Sequence, residues 1–289
     1  MFIHGEKSYF LTKLCPNRGN NYYKEFSSQF LCIHNMTSQN PTTTISSMHI
    51  KKLAYEFDSK TAQEVLKWAL DTFGTKIALA SSFGAEDVVI IDMMANLDKN
   101  KNKARVFTLD TGRLNQETYD VMDAIRGRYG IPIEVYFPDQ KEVEEMVRPR
   151  GMNLMYESVE NRKLCCEIRK VHPLNRALST LDGWITGLRR DQVETRATTK
   201  KIEIDSGHGG IVKVNPLADW TSDRVWDYIR KNNVPYNKLH DTGYPSIGCE
   251  PCTRAIKPGE DPRAGRWWWE SAAQKECGLH FDPSKKRHQ

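Results

Sequence analysis

The stretch Ile77-Ala78-Leu79-Ala80-Ser81-Ser82-Phe83-Gly84-Ala85-Glu86-Asp87 decides the fold. Four consecutive apolar residues, with no alternation, read as a strand buried on both faces, the pattern of a parallel sheet. The small polar run after them leads into Val88, Val89, Ile91, Met93, Met94 and Leu97, which read as a helix packed on that sheet. Strand, short polar loop and helix together aim backbone N–H groups at an anion. The loop lacks a lysine and the GxxxxGK spacing, so it is not of the Walker A type. From these residues alone, a simply capped helix start is an equal reading.

Working outward, Asp58-Ser59-Lys60-Thr61 starts a helix whose stripe is Ala62, Val65, Leu66, Ala69, Leu70 and Phe73, and Gly74 ends it. Further strands are expected at 105–110, 133–137 and 183–187, with helices at 116–129, around 140–147 and at 159–180. Strands near 201–204 and 211–214 flank the turn Gly207-His208-Gly209-Gly210, and Asp219-Trp220-Thr221-Ser222-Asp223 opens a last helix. After Pro235 the chain reads as loop. The alternation predicts an α/β fold: an open, mainly parallel sheet flanked by helices. Ligands of such sheets sit at the carboxyl ends of the strands. The loops there are Ser81-Ser82-Phe83-Gly84, Leu109-Asp110-Thr111-Gly112-Arg113 and Gly187-Leu188-Arg189-Arg190-Asp191-Gln192. Arginine forks bind phosphate or sulfate oxygens bidentately, although each loop taken singly reads more readily as a solvated charged turn.

Four of the seven cysteines form two pairs, Cys165-Cys166 and Cys249-Glu250-Pro251-Cys252. Brought together by a fold, they make a four-thiolate site suited to an iron–sulfur cluster or to tetrahedral zinc. An adjacent pair splays its sulfurs, which favours a 4Fe–4S cluster over one small ion; zinc, a disulfide or unrelated thiols are the other readings. A further cysteine, in Lys275-Glu276-Cys277-Gly278-Leu279-His280, is a candidate nucleophile. Cys15 and Cys32 match no motif.

The 289 residues, with 39% hydrophobic and 27% charged, describe a globular chain with ample core. A net charge of +5 fits an anionic small molecule as well as nucleic acid, and so separates them poorly. Uneven cysteine spacing argues against a secreted disulfide framework and for a reducing compartment. The sequence has no apolar run of transmembrane length and no signal peptide. Residues 1–50 read as a poorly ordered extension. They hold only Glu6 and Glu25 as acids, and the polar run Thr37-Ser38-Gln39-Asn40-Pro41-Thr42-Thr43-Thr44. A transit peptide, an untargeted tail, or a later start at Met36 or Met48 are the readings of it. Residues 51–262 then form the main α/β domain and 263–289 a C-terminal tail.

The loops just quoted, Lys163-Leu164-Cys165-Cys166 continuing to Arg169-Lys170, Gly248-Cys249 to Thr253, Arg263-Ala264-Gly265-Arg266-Trp267-Trp268-Trp269-Glu270, and Glu276-Cys277-Gly278-Leu279-His280 follow in this order. Together, over about residues 55–282, they resemble the assimilatory sulfonucleotide reductases, specifically the iron–sulfur adenylyl-sulfate (APS) reductases. The resemblance implies an adenine nucleotide alpha-hydrolase-like fold, related to the PP-loop enzymes, with a mobile catalytic tail. It implies a 4Fe–4S cluster on Cys165, Cys166, Cys249 and Cys252, structural and electrostatic in role. It implies Cys277 as nucleophile, with Lys170, Arg263, Arg266 and His280 around the phosphosulfate. Ser81, Ser82, Phe83, Gly84, Leu109, Asp110, Thr111, Gly112, Arg113, Gly187, Arg189 and Arg190 lie in matched substrate-binding motifs. The expected substrate is adenylyl sulfate, and the donor thioredoxin or glutaredoxin. The donor is expected to be a separate protein, since the chain ends at Gln289 without a fused redoxin domain. No nucleic acid or membrane partner is expected, and a homo-oligomer is left open. The location implied is the cytoplasm, or a plastid if the extension is a transit peptide. The alternatives are a 3′-phosphoadenylyl-sulfate (PAPS) reductase, an ATP-dependent tRNA-modifying PP-loop enzyme, whose Ser-Gly-Gly-x-Asp-Ser loop is absent, and a non-catalytic cluster or zinc module.

Overall fold

Alternating strands and helices wind into one sheet in the computed structural model, which describes residues 47–100 and 102–271. Cys15, Cys32, Cys277 and His280 therefore lie outside the described residues. The elements are α1 (Ser47–Glu56), α2 (Ala62–Phe73), β1 (Ile77–Ala80), α3 (Ala85–Leu97), β2 (Val106–Leu109), α4 (Gln116–Tyr129), β3 (Ile133–Tyr136) and α5 (Gln140–Arg150). They continue with α6 (Val159–Cys166), α7 (His172–Leu178), β4 (Gly183–Ile185), β5 (Ile202–Asp205), β6 (Ile211–Val214) and α8 (Ser222–Asn232).

The strand order is β3-β2-β1-β4-β6-β5, and every neighbouring pair is parallel except β5 with β6. Helical crossovers let β1 to β4 run parallel, whereas the short turn at Ser206–Gly210 forces β5 and β6 to be antiparallel. Alternate residues of β1 face opposite layers. Ile77 and Leu79 pack with α2, α3 and α8, and Ala78 packs with Phe107, Trp184 and the Leu174, Ala177 and Leu178 of α7. Helix α3 is buried on nearly every side from Ala85 to Met94, Glu86 excepted. Each such apolar side chain taken from water contributes about 1.5–3 kcal/mol. The start of α2 carries a capping box, with Thr61 accepting from the Glu64 N–H and Glu64 accepting from the Thr61 N–H.

Two elements differ from the sequence expectation. Helix α1 begins at Ser47, inside the stretch read as an extension, because Ile50 and Leu53 bury themselves in the main core. Of its described side chains only Ile50 and Leu53 are buried, while Met48 and Tyr55 are exposed, so its apolar residues do not form one stripe to read. The single helix expected over 159–180 is instead α6, a π-helical turn at Glu167–Val171, and α7, which opens with Pro173. Such π turns arise mostly as local bulges at functional sites. Among the described residues no helix is long and apolar enough to cross a membrane.

Candidate active site

Because β1, β2 and β4 are parallel, the loops that follow them open on the same edge of the sheet. The loop after β1 is tightly held. Ser81 Oγ accepts from the Phe83 N–H at 3.0 Å, and Asp87 Oδ2 accepts from the Ser82 N–H at 2.6 Å and its hydroxyl at 2.9 Å. Phe83 is fully buried at φ 58°, a left-handed conformation that non-glycine residues adopt rarely. Burial pushes the Asp87 carboxyl up to about 6; the Ser82 hydrogen bonds oppose this and the Glu86 charge adds to it. The loop after β4 passes so close that a Cβ at Gly187 would stand 2.5 Å from Asp87 Oδ1 and 2.9 Å from Glu86 Cβ. Only glycine fits this crossing.

Arg189 and Arg190 are engaged with carboxylates. Buried Arg189 donates through Nε to Glu86 at 2.8 Å and through Nη1 to Asp191, and Gln192 also donates to Glu86, at 3.0 Å. Arg190 pairs with Asp58 and donates to the Thr199 carbonyl at 2.8 Å. In this arrangement the two arginines tie loops together.

The loop after β2 reaches the cysteines. Asp110 accepts from the Gly112 N–H at 2.8 Å and from the Tyr119 hydroxyl at 3.1 Å, and burial with the Asp110 charge raises Tyr119 to about 12. Gly112 needs its left-handed φ of 70° to turn there. The Thr111 hydroxyl lies 3.2 Å from Cys249 Sγ, the Arg113 carbonyl accepts from the Glu250 N–H at 2.9 Å, and Asn115 donates to the Gly248 carbonyl at 3.3 Å.

Cys165 and Cys166, at the end of α6, meet Cys249 and Cys252 around one cavity, whose wall also holds Arg113, Arg162, Arg169 and Lys170. All four thiols are buried and none is in a disulfide. Met146, Leu154, Met155, Ile168 and Trp267 give them a small apolar core of their own. Arg113 donates to the Met152 carbonyl and to Asn153 Oδ1 at 2.9 Å. Arg169 donates to the Thr111 carbonyl at 2.7 Å, and Arg266 to Ser246 Oγ at 3.2 Å and the Ile247 carbonyl at 3.1 Å. These acceptors are neutral, so the positive charge around the thiols is kept. Among the described residues, the buried Nε atoms of Arg169 and Arg266 and the Trp267 indole N–H have no hydrogen-bond partner.

The thiols respond to that field. Burial opposes ionisation of Cys249, yet Lys170, the Thr111 hydroxyl and Arg266 outweigh it and hold its pKa below the usual thiol value. Burial pushes Cys165 up against the pull of Arg169, and burial with the nearby Cys249 charge pushes Cys252 up to about 12. Four sulfurs on one cavity wall repel one another as thiolates. They would be ionised together only around a cationic core, and the ring of cations would offset the remaining negative charge. Four buried free thiols on one cavity, with cations around them, therefore fit a 4Fe–4S cluster as donor set and as electrostatic host.

Of the expected site residues, Arg113, Lys170 and the four cysteines come together here. Arg266 packs on Gly248, where an added Cβ would meet its Nη2 at 2.5 Å, and Arg263 sits in the turn just before it, its carbonyl accepting from the Arg266 N–H at 2.9 Å. Ser81, Ser82, Phe83, Gly84, Gly187, Leu109 and Asp110 lie at the carboxyl ends of β1, β4 and β2 or in the loops that follow them. Sequence reasoning missed Arg162 as a site residue. Its side chain, with that of Glu270, is 2% exposed, and the two form a bidentate pair at 2.9 and 2.8 Å. Its spacing was a usable signal: Arg162 stands three and four residues before the cysteines, on the same helix face.

The model of the phosphoadenosine phosphosulfate reductase domain matches residues 76–255. An adenosine 5′-phosphosulfate reductase of Burkholderia cepacia is 55% identical over 71% of this chain and 81% of its own. The chloroplastic 5′-adenylylsulfate reductase 3 of Arabidopsis thaliana is 48% identical over 80% of this chain, which spans 51% of that longer protein. Among solved structures, a phosphoadenylyl-sulfate reductase of Candida auris in complex with phosphate superposes with a TM-score of 0.60. It is 32% identical, over 71% of this chain and 96% of its own.

Proposed function

Since this chain belongs to the phosphoadenosine phosphosulfate reductase domain family, we propose that it reduces adenylyl sulfate to sulfite and AMP with a thioredoxin-type dithiol. The observation that carries this reading is the single cavity where four buried cysteines meet Arg113, Arg162, Arg169 and Lys170, beside the loops at the carboxyl edge of the sheet. Relatives named for adenosine 5′-phosphosulfate support the unphosphorylated nucleotide over its 3′-phosphate.

The chemistry is two displacements at sulfur. The Cys277 thiolate attacks the sulfate sulfur, the bond from sulfur to the phosphate oxygen breaks, and AMP leaves with the electron pair. A thiosulfonate remains on Cys277. A donor thiolate then attacks the Cys277 sulfur, sulfite departs, and the donor's second thiol resolves the mixed disulfide. The donor's two thiols are oxidised and the sulfur is reduced by two electrons, so no further redox partner is required. Lys170 and Arg266, with Arg263, stabilise charge on the phosphosulfate and on the leaving AMP, and His280 acts beside Cys277. The loops after β1, β2 and β4 hold the nucleotide. Cys165, Cys166, Cys249 and Cys252 would hold a 4Fe–4S cluster, which when bound supplies a fixed electrostatic neighbour for these cations. The enzyme works in a reducing compartment, the cytoplasm, or a plastid if residues 1–46 act as a transit sequence.

Turnover with each nucleotide in the presence of reduced thioredoxin tests the reading. Sulfite and AMP should form from adenylyl sulfate with at least about 100-fold greater kcat/KM than from the 3′-phosphorylated nucleotide, a discrimination of the size an unmatched charged group costs. Equal efficiency would make the chain a general sulfonucleotide reductase, and no sulfite from either would remove the function.

A further inference from the structure

We propose that Glu270 is a positioning residue for the nucleophile: its buried ion pair with Arg162 anchors the root of the C-terminal tail to the cysteine site. The proposal rests on Cys277 being the nucleophile. Cys277 lies seven positions beyond Glu270, a reach of at most about 25 Å. Where the tail is rooted therefore limits where the thiolate can act.

The root is joined to both cysteine pairs. On one side, Arg162 belongs to α6, the helix that ends in Cys165 and Cys166, and lines their cavity. It holds Glu270 through Nε and Nη2, in a bidentate geometry that fixes orientation as well as distance. On the other side, the Trp267 N–H donates to the Cys252 carbonyl at 3.0 Å, and Thr253 bridges Arg266 antiparallel. Between the two, the fully buried Trp267 ring lies under two guanidinium groups, Arg162 at 4.9 Å and Arg266 at 4.8 Å from its centroid. Trp267 holds φ 42°, an unusual left-handed conformation for a bulky residue, and the Glu270 N–H closes the turn on the Trp267 carbonyl at 2.8 Å. The turn thus faces the Glu270 carboxylate toward α6 and delivers Ser271 at a defined point. Among the described residues, Glu270 sets its carboxylate against a cation of the cavity wall, Arg162, and that pair lies at the tail root. A surface charge would hold the chain end more loosely, since exposed pairs contribute little. Because the same helix carries two of the cysteines, the state of the cysteine site and the placement of the nucleophile are coupled through one residue pair.

The test compares wild type, Glu270→Gln and the conservative Glu270→Asp as purified holoproteins. Three readouts are taken: AMP affinity, iron per chain, and the single-turnover rate of sulfonate transfer from adenylyl sulfate to Cys277. Glu270→Gln should keep AMP affinity within about twofold and iron unchanged, while sulfonate transfer slows by about 10- to 100-fold, the effect of misplacing a reacting group by an ångström or so. Glu270→Asp should recover part of the rate. Tryptic cleavage at Lys275 should also speed up in Glu270→Gln, independently of any chemistry. An unchanged transfer rate, or losses of iron and AMP binding in proportion to the rate, would overturn the positioning role. If wild type itself takes no sulfonate on Cys277, the reaction assignment falls, and the anchor is judged by the cleavage rate at Lys275 alone: unchanged cleavage overturns it too.

Discussion

The two halves of the site handle positive charge in opposite ways. Where the loops after β1 and β4 cross, arginines meet carboxylates: Arg189 with Glu86 and Asp191, Arg190 with Asp58. Around the cysteines, Arg162 pairs with the Glu270 carboxylate, but Arg113, Arg169 and Arg266 donate, among the described residues, to neutral oxygens, and Lys170 acts directly on the thiol of Cys249. The first arrangement spends its charge on holding loops in register. The second leaves charge to act on anions, whether thiolates or the oxygens of a phosphosulfate. Arginines that look alike in sequence therefore serve as frame in one place and as electrostatic host in the other.

The largest effect that can break this contrast is at the host side. Cys249→Ser should lower iron from about four per chain to below one and abolish sulfite release, because one thiolate ligand is lost. Full activity with stoichiometric zinc and no acid-labile sulfide would show that the cavity hosts a different group. Lys170→Ala should lower kcat by about 100-fold, the size seen when one preorganised charge-stabilising donor is removed. A change confined to KM would place Lys170 with the frame instead.

On the frame side the effects are smaller and appear in stability. The folded-state pKa of Asp87, about 6, lies above its ordinary value of 3.8, so the folded protein holds this proton more tightly than the unfolded chain. Its contribution to stability is full below pH 3.8 and is lost as pH rises through 6, an effect of about 2–3 kcal/mol. Denaturant unfolding of wild type and Asp87→Asn between about pH 3.5 and 7 measures it: the variant should lack this fall. An identical pH dependence in both would remove the burial argument. The smallest expected effect is that of Glu86→Gln, which should raise KM for adenylyl sulfate by about tenfold with kcat nearly kept, as loss of uniform binding does. A matching fall in kcat would move Glu86 into the reacting site.

Much of the frame is readable before any coordinates. The apolar runs at Ile77–Ala80 and Val106–Leu109 are strands, and Gln116–Tyr129 is a helix at its expected bounds. The cysteine pairs were legible as one site because chemistry demands that four ligands converge. What was not legible is long-range or aperiodic. The Arg162–Glu270 pair spans 108 positions, and nothing local marks either residue as the other's partner. The π turn at Glu167–Val171 leaves no hydrophobic period to read. Arg189 and Arg190 read as anion forks because Glu86 and Asp58, which engage them, come from distant elements.

The central claim is covalent transfer of sulfur to Cys277, and peptide mass spectrometry of the intact holoprotein tests it most directly. After incubation with adenylyl sulfate and no reductant, wild type should carry one added SO₃ group, about 80 Da, on the Cys277 peptide, as a covalent intermediate requires. Reduced thioredoxin should remove it with release of sulfite, and Cys277→Ser should never gain it. An adduct on Cys15 or Cys32, or sulfite released at the wild-type rate by Cys277→Ser, would contradict the account.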